Sequence, residues 1–554
     1  MIKIKRLCLG MAIVSTLLFT QAASADTEFE YHEMASTVMI NSLQALPQDI
    51  FLKKLYTQLL FVPVWMNEDE PSPAANALFE HIKDDQTLNR NGKLYQELLR
   101  LEEEVHDVYA YNGKLTQKID LEFKISQLYK AYTDYAYLGS INWGAFQARI
   151  SNLIVNDVST EWILHRPQIN AVAMLENTAL GADMGKELED AMPKKYHYRE
   201  LQKKVADYRA IKANGGWETV TLNEALKPGK NSDGVPSLRQ RLIVTGDYEP
   251  CEESNEELVY DKCLQKAVRH FQKRNGLADD GEVGPNTLSV LNKTVDERIE
   301  TMLLNLDRIK WLNDPKSKRH VIINIPDFML YFEEDGELIQ TMRTIVGTPK
   351  NPTPIFSNSV KTIVLNPQWN VPKSIIQKEY IPKLLRNSSV LRKEKIEVYN
   401  GWGKDARKVN PSSVNWGAYR YSKTVPYRFA QTAGTHNALG KVKFLFPNKF
   451  SVYMHDTPTK HLFKKDKRAF SHGCIRLQKP RELLETFSTF EDNVDFEKSQ
   501  KVLKGTKKVY LPLEERVPID VIYLTAWVDY DGALQFRNDV YHYDEMQLKS
   551  FRKW

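Results

Sequence analysis

The sequence predicts a multidomain α+β protein with a helical scaffold, a small helical module and a mostly β C-terminal domain carrying an inserted capping subdomain. Three observations carry this reading. Apolar residues recur at three- and four-residue spacings up to about residue 225, and from about 318 the period changes to two. Clusters of Gly, Pro, Asn and Asp punctuate the chain between those regimes. A chain of 554 residues also exceeds what one hydrophobic core ordinarily supports, so about three or four domains are expected.

Residues 1–25 read as a secretory signal peptide. Lys3, Lys5 and Arg6 supply the charged start, Leu7 to Phe19 the apolar stretch, and Ala23-Ser24-Ala25 the small-residue cleavage site. The expected mature chain lies outside the cytoplasm, and no later stretch is long and apolar enough for a transmembrane anchor. Without residues 1–25, 73 basic residues face 71 acidic ones. No basic stripe interleaves with aromatics, which argues against a nucleic-acid partner.

Residues 26–225 form the expected helical scaffold. Leu121–Tyr137 and Tyr196–Lys212 have the helical period, the latter introduced by Pro193 and closed by Gly215-Gly216. Residues 226–296 form a separate module. In it a helix through Ala267–Gln272 stops at Asn275-Gly276, a turn follows at Asp280–Pro285, and Asn286-Thr287-Leu288 opens another helix. A return helix over 297–314 is expected to pack on the first region. The β domain spans 315–545, with 546–554 as a tail. His320–Phe332 and Leu338–Val346 read as strands joined by the Asp335-Gly336 turn. Lys361–Leu365, Val442–Phe446 and Lys449–Met454 continue the strand pattern, and Pro480–Phe490 reads as a helix. Val517–Asp529 and Ala533–Val540 read as closing strands, paired through Tyr530-Asp531-Gly532. Between Lys361–Leu365 and Val442–Phe446, about 373–438 is a polar excursion too long for a plain loop, hence a lid or subdomain.

The cysteines focus the chemistry. Cys8 lies in the leader, and Cys251 and Cys263 either bridge a short loop or stay as buried thiols. Cys474 is left over, in Ser471-His472-Gly473-Cys474, with His455 nineteen residues upstream. An odd cysteine in an exported protein is a candidate reactive thiol. The thiolate is the attacking species, and a nearby imidazole is the usual means of generating it. His455, Asp456, His461, His472 and Cys474 are all zinc-ligand types, but no pair has structural-zinc spacing and no metal or other cofactor is expected.

The stretch from Tyr453-Met454-His455-Asp456 to Ser471-His472-Gly473-Cys474-Ile475-Arg476-Leu477 resembles the motif of the YkuD-type L,D-transpeptidases. Fifteen residues separate His455 from Ser471, in keeping with the family's spacer. Asn366–Pro372 and Asn437–Phe444 resemble flanking segments of the large Gram-negative members, which form 3→3 cross-links. Residues 226–296 resemble the peptidoglycan-binding-like module of cell-wall enzymes, serving as a glycan binder or as a spacer. The resemblance implies Cys474 as nucleophile and His455 as its base, oriented by the backbone carbonyl or the carboxylate of Asp456. Gly473 would admit the substrate backbone and the Cys474 amide would face the oxyanion. His472 would take part in the chemistry or orient the loop, and Ser471 would shape the pocket. Arg476 would bind a substrate carboxylate or fix the loop by an ion pair. The run Lys464–Arg468 would be a solvated loop or a guide for an acidic stem.

By the same resemblance the partners are peptidoglycan stems, a donor tetrapeptide and an acceptor, with other cell-wall synthesis proteins as a further class. Cys474 would release D-alanine from the donor, and an amine of meso-diaminopimelate would resolve the thioester. Water would make the protein a carboxypeptidase, and a lipoprotein lysine would make it an anchoring enzyme. A non-catalytic wall-binding scaffold is the reading from another class. Carbapenems are expected to acylate the same thiol, and the location implied is the periplasm.

Overall fold

A computed structural model describes residues 22–46, 48–151, 161–251, 257–314, 316–403, 405–422 and 424–552. The signal-peptide expectation falls outside the described residues except for 22–25, which open the helix Ala22–Ala45. No described helix is long and apolar enough to cross a membrane. The chain divides into two compact units, Met1–Ile141 with Arg166–Lys194 and Phe551–Trp554, and Asn142–His165 with Lys195–Ser550.

The first unit is helical. Its central helix, Leu115–Leu138, buries residues around most of its circumference. Glu122 on that helix is fully buried and accepts the Val64, Trp65 and Met66 amides and the Tyr56 hydroxyl. One carboxylate thereby satisfies a turn that would otherwise bury unpaired donors. Burial nevertheless pushes its pKa up to about 7.

The second unit is built on a nine-stranded sheet. Its first strands are β1 (Arg319–Asn324), β2 (Met329–Glu334), β3 (Glu337–Gly347) and β4 (Phe356–Leu365). Then come a small separate sheet from β5 (Trp369–Asn370), β6 (Ile396–Tyr399), β7 (Lys408–Val409) and β8 (Arg428–Gln431). The main sheet resumes with β9 (Val442–Leu445), β10 (Met454–His455), β11 (Ala469–Ser471), β12 (Ile475–Leu477) and β13 (Val509–Ile522). β14 (Ala526–Val528) and β15 (Leu534–Phe536) form a hairpin. The main order is β11-β3-β12-β10-β9-β4-β13-β1-β2, and β2 also pairs with β3. The sheet therefore closes on itself, leaving β11 outside the ring and removing most exposed edges.

Several expected strands are shorter than their apolar patterns. His320–Phe332 is two strands, because Pro326 lacks an amide and Phe328 has φ +56° in the turn between β1 and β2. Lys449–Tyr453 is not a strand. The Asn448 side chain takes the Phe450 and Val452 amides and bonds back to the Phe446 and Val452 carbonyls, substituting for ladder partners. Val517–Asp529 breaks after Ile522, where Asn324 exchanges two bonds with Leu524 and Asn305 takes the Thr525 amide. Of Ala533–Val540 only Leu534–Phe536 is strand.

The 226–296 module is three helices, Val235–Val244, Lys262–Arg274 and Pro285–Leu291, around Leu238, Leu242, Leu264, Val268, Phe271 and Leu291. Cys251 is bonded to Cys263, with Cα atoms 6.1 Å apart. The module is tied to the strand domain by Arg537, which bonds the Arg274 carbonyl and pairs with Asp327. The helix Val295–Lys310 packs on Tyr198–Ala213, so both helices lie in this second unit. Its Arg308 is fully buried and bonds Gln547, Asp544 and Thr525.

His320 of β1 supplies a pH test of this packing. Its Nε2 lies 2.8 Å from Asp520 Oδ2, which also accepts the Tyr196 hydroxyl, and its Nδ1 lies 3.6 Å from Glu333. Burial opposes the charge, but the two carboxylates outweigh it and hold the pKa up to about 9. The charged form thus stabilises the fold fully below the unfolded value near 6.5. That contribution, about 3 kcal/mol, is lost as pH rises from there through about 9. Melting temperature should fall over that interval, and His320→Gln should flatten the dependence; parallel profiles for both proteins would refute the assignment.

Candidate active site

Strand register gathers the site. β10 runs parallel to β12 with Met454 opposite Ile475 and His455 opposite Arg476. β10 is antiparallel to β9 with Met454 opposite Phe444 and His455 opposite Lys443. Side chains alternate along strands, so Phe444, Met454 and Ile475 share the buried face. Lys443, His455 and Arg476 share the other, and Tyr453 and Cys474, each two residues earlier, are in phase with them.

Cys474 is the free cysteine among the described residues and is half-buried. Its sulfur lies 3.9 Å from the Ser451 carbonyl. Burial pushes the thiol pKa up, while hydrogen bonds with Tyr453 and the charges of Lys443 and Arg476 oppose the rise. The loop before it is held from several sides. The Ser471 hydroxyl donates to the Cys474 carbonyl at 2.5 Å and accepts the Gly473 amide at 3.1 Å. Thr353, itself fully buried, donates its hydroxyl to the Gly473 carbonyl and accepts the Gly347 amide. Gly473 has φ +108°, a conformation costly for any residue with a Cβ. The Cys474 amide meets no acceptor among the described residues and is available to a developing oxyanion.

His455 is 4% exposed, and its Nδ1 lies 2.5 Å from the Asp456 carbonyl oxygen. That contact fixes the tautomer with the proton on Nδ1 and leaves Nε2 as an acceptor. Burial, reinforced by the charges of Arg476, Lys443 and Lys460, pulls its pKa down to about 3. Burial thus favours a neutral thiol beside a neutral base over a thiolate–imidazolium pair. Of the two expected roles for Asp456, the carbonyl is the one used. Its carboxylate accepts the Lys441 and Thr457 amides and pairs with Lys460 at 2.6 Å. Gly440 is required beside it, because a Cβ there would lie 2.3 Å from Asp456 Cγ.

His472 points away from this cluster, with Nε2 2.8 Å from Glu379 on the π-helical turn Ile376–Tyr380. That contact joins the cysteine loop to the insertion, whose own core includes Val371, Ile376, Ile381, Val398, Trp416 and Phe429. Arg476 has no carboxylate partner among the described residues, so the ion-pair reading does not hold; its Nη1 bonds Thr459 at 3.2 Å. Within Lys464–Arg468, Arg468 is not solvated. It is buried and bonds the Thr344, Phe328 and Lys465 carbonyls. Sequence reading missed Lys443, Tyr453, Glu379 and Thr353. The period-two phase of Lys443 against buried Phe444 was the available signal for the first; Glu379 and Thr353 carry none.

The electrostatics set an expectation for thiol chemistry. Alkylation of Cys474 by iodoacetamide should keep accelerating beyond pH 9, without a plateau near neutrality. The imidazole resonances of His455 should not titrate between pH 5 and 8. A reactivity plateau below pH 7 or a neutral-range His455 titration would show a preformed ion pair instead.

Residues 318–510 match the YkuD family, described as L,D-transpeptidase catalytic domain. Residues 51–205 match a family described as "Scaffold domain", and 231–291 one described as "Putative peptidoglycan binding domain". A Haemophilus influenzae protein named "Putative L,D-transpeptidase" is 30% identical over 245 residues, 44% of this chain and 48% of that protein. The chain thus spans about half the length of this curated relative. Solved structures include an L,D-transpeptidase from Stackebrandtia nassauensis, 15% identical, covering 54% of this chain and 94% of its own, TM-score 0.22. Another, from Mycobacterium smegmatis, is 14% identical, covering 37% and 58%, with TM-score 0.18. With the motif from His455 to Cys474 set on one sheet face, residues 318–510 belong to the YkuD family of L,D-transpeptidase catalytic domains.

Proposed function

We propose that this protein is a peptidoglycan L,D-transpeptidase that forms 3→3 cross-links through a Cys474 acyl-enzyme. The observation that carries the reading is the shared face of Cys474 and His455, with the imidazole Nε2 left free as a base. His455 takes the thiol proton as sulfur attacks the carbonyl between meso-diaminopimelate and the terminal D-alanine. The Cys474 amide meets the oxyanion. Collapse breaks the C–N bond, the proton passes to the leaving amine, and D-alanine departs from a thioester. The side-chain amine of a neighbouring meso-diaminopimelate then attacks, loses its proton to His455, and returns the thiol. Each half-reaction begins and ends with a neutral pair, which suits a site that burial keeps uncharged.

The insertion acts as a cap that disfavours water as the acceptor, and the 231–291 module engages the wall. Both supports are structural in kind: a subdomain with its own core bonded to the cysteine loop, and the family match of the module. The pattern of residues 1–25 and the Cys251–Cys263 bond favour the periplasm as the site of action.

Purified tetrapeptide stems with product analysis by mass spectrometry test the reaction. Cys474→Ala should abolish both D-alanine release and cross-linking, and His455→Ala should slow acylation about a hundred- to ten-thousand-fold. Full activity in Cys474→Ala would end this reading, and products hydrolysed rather than cross-linked would make the enzyme a carboxypeptidase. Glu379→Ala should loosen the cap and raise the ratio of hydrolysed to cross-linked product while the thiol remains alkylatable. An unchanged ratio would remove the cap from the mechanism.

A further inference from the structure

We propose that Lys443 and Arg476 form a carboxylate-recognition site beside Cys474, which takes the free α-carboxylate of the single residue leaving the donor stem. The inference rests on the transferase reading above and adds what recognises the free terminus of the donor.

Both cations are half-buried on the Cys474 face, opposite His455 on its two neighbouring strands. Neither has a carboxylate partner among the described residues. Lys443 Nζ sits 3.5 Å from the Tyr453 ring centroid, and Arg476 spends one nitrogen on Thr459. Burial pulls Lys443 down to about 8. Two cations held partly out of water without an anion are costly unless a ligand supplies one.

The spacing admits a carboxylate from the leaving group. Side chains two apart along a strand stand about 6.6 Å apart, so Arg476 lies that far along from the sulfur. A peptide residue spans about 3.5 Å, which puts the carboxylate of a one-residue leaving group between the sulfur's target carbonyl and the cations. The guanidinium fork accepts a carboxylate through two parallel bonds, and the lysine adds a point charge. An amidated terminus would bring no charge to the pair.

The full chain tests this with two probes that differ in charge. Iodoacetate carries a carboxylate and iodoacetamide does not, and each loses iodide to the Cys474 thiolate. Lys443→Gln and Arg476→Gln should each lower the iodoacetate-to-iodoacetamide rate ratio about fivefold to tenfold, with Arg476→Lys intermediate. With stems, the wild type should be acylated by a tetrapeptide about tenfold faster than by its C-terminal amide, and the variants should lose that preference. A ratio unchanged while both alkylation rates fall would make the cations thiolate stabilisers only and overturn the site. Equal use of acid and amide stems would overturn it while leaving the transferase reading intact. A ratio that falls in a protein acylated by no stem would keep the anion site and remove that reading.

Discussion

The pairing of His455 with Arg476 across two parallel strands, and with Lys443 across an antiparallel one, is the constraint on which the site depends. β10 is only two residues long, and its position is set by neighbours on both sides. Because side chains alternate, a one-residue slip would turn His455 into the core and bring Met454 to the surface. The apolar face of Phe444, Met454 and Ile475, each fully buried, makes that slip expensive. Core packing thus fixes which residues stand on the face of Cys474, although none of the core residues stands there.

Burial decides the protonation states that this register brings together. His455 is held neutral and the Cys474 thiol is raised, so attack must move a proton rather than begin from a stored thiolate. That arrangement costs reactivity toward stray electrophiles and protects the thiol from oxidation, which needs the thiolate. It also explains why the imidazole is oriented by a carbonyl. A carboxylate on Nδ1 would raise the pKa of His455 and favour imidazolium, whereas the Asp456 carbonyl fixes the tautomer without adding a charge. The Asp456 carboxylate is kept busy by Lys460 and two amides.

The motif that names Cys474 and His455 was legible because catalysis needs fixed residue types at a nearly fixed spacing. The fold class was legible because the hydrophobic period changes from helical to two near residue 318. Strand ends were less so, since Asn448, Asn324 and Asn305 satisfy backbone groups with side chains where an apolar pattern suggested a ladder. Lys443 was readable only in hindsight of its phase, and Glu379 not at all. Its partner His472 lies far along the chain, and only the folded insertion brings them within 2.8 Å. Arg468 looked solvated within a basic run, yet backbone carbonyls from β3 and the β1–β2 turn hold it inside. Charge runs report composition, not depth.

The insertion exploits a tolerant point in the ring. β4 and β9 are adjacent and antiparallel, so the chain leaving β4 and re-entering at β9 closes over a distance that a short hairpin could span. Anything inserted there needs no change in the sheet, provided it can build its own core, as Tyr380, Val398, Trp416 and Phe429 do. The same hairpin also leads into the site, because β9 carries Lys443 and neighbours β10. A subdomain rooted at that point can reach back over the cysteine loop with one side chain from a π-helical turn, a geometry that widens the helix locally and re-aims Glu379. The contact is half-exposed on both sides, which makes it breakable. A deeper, fully paired contact would have locked the cysteine loop to the insertion, whereas this one leaves the two separable under the cap reading proposed above.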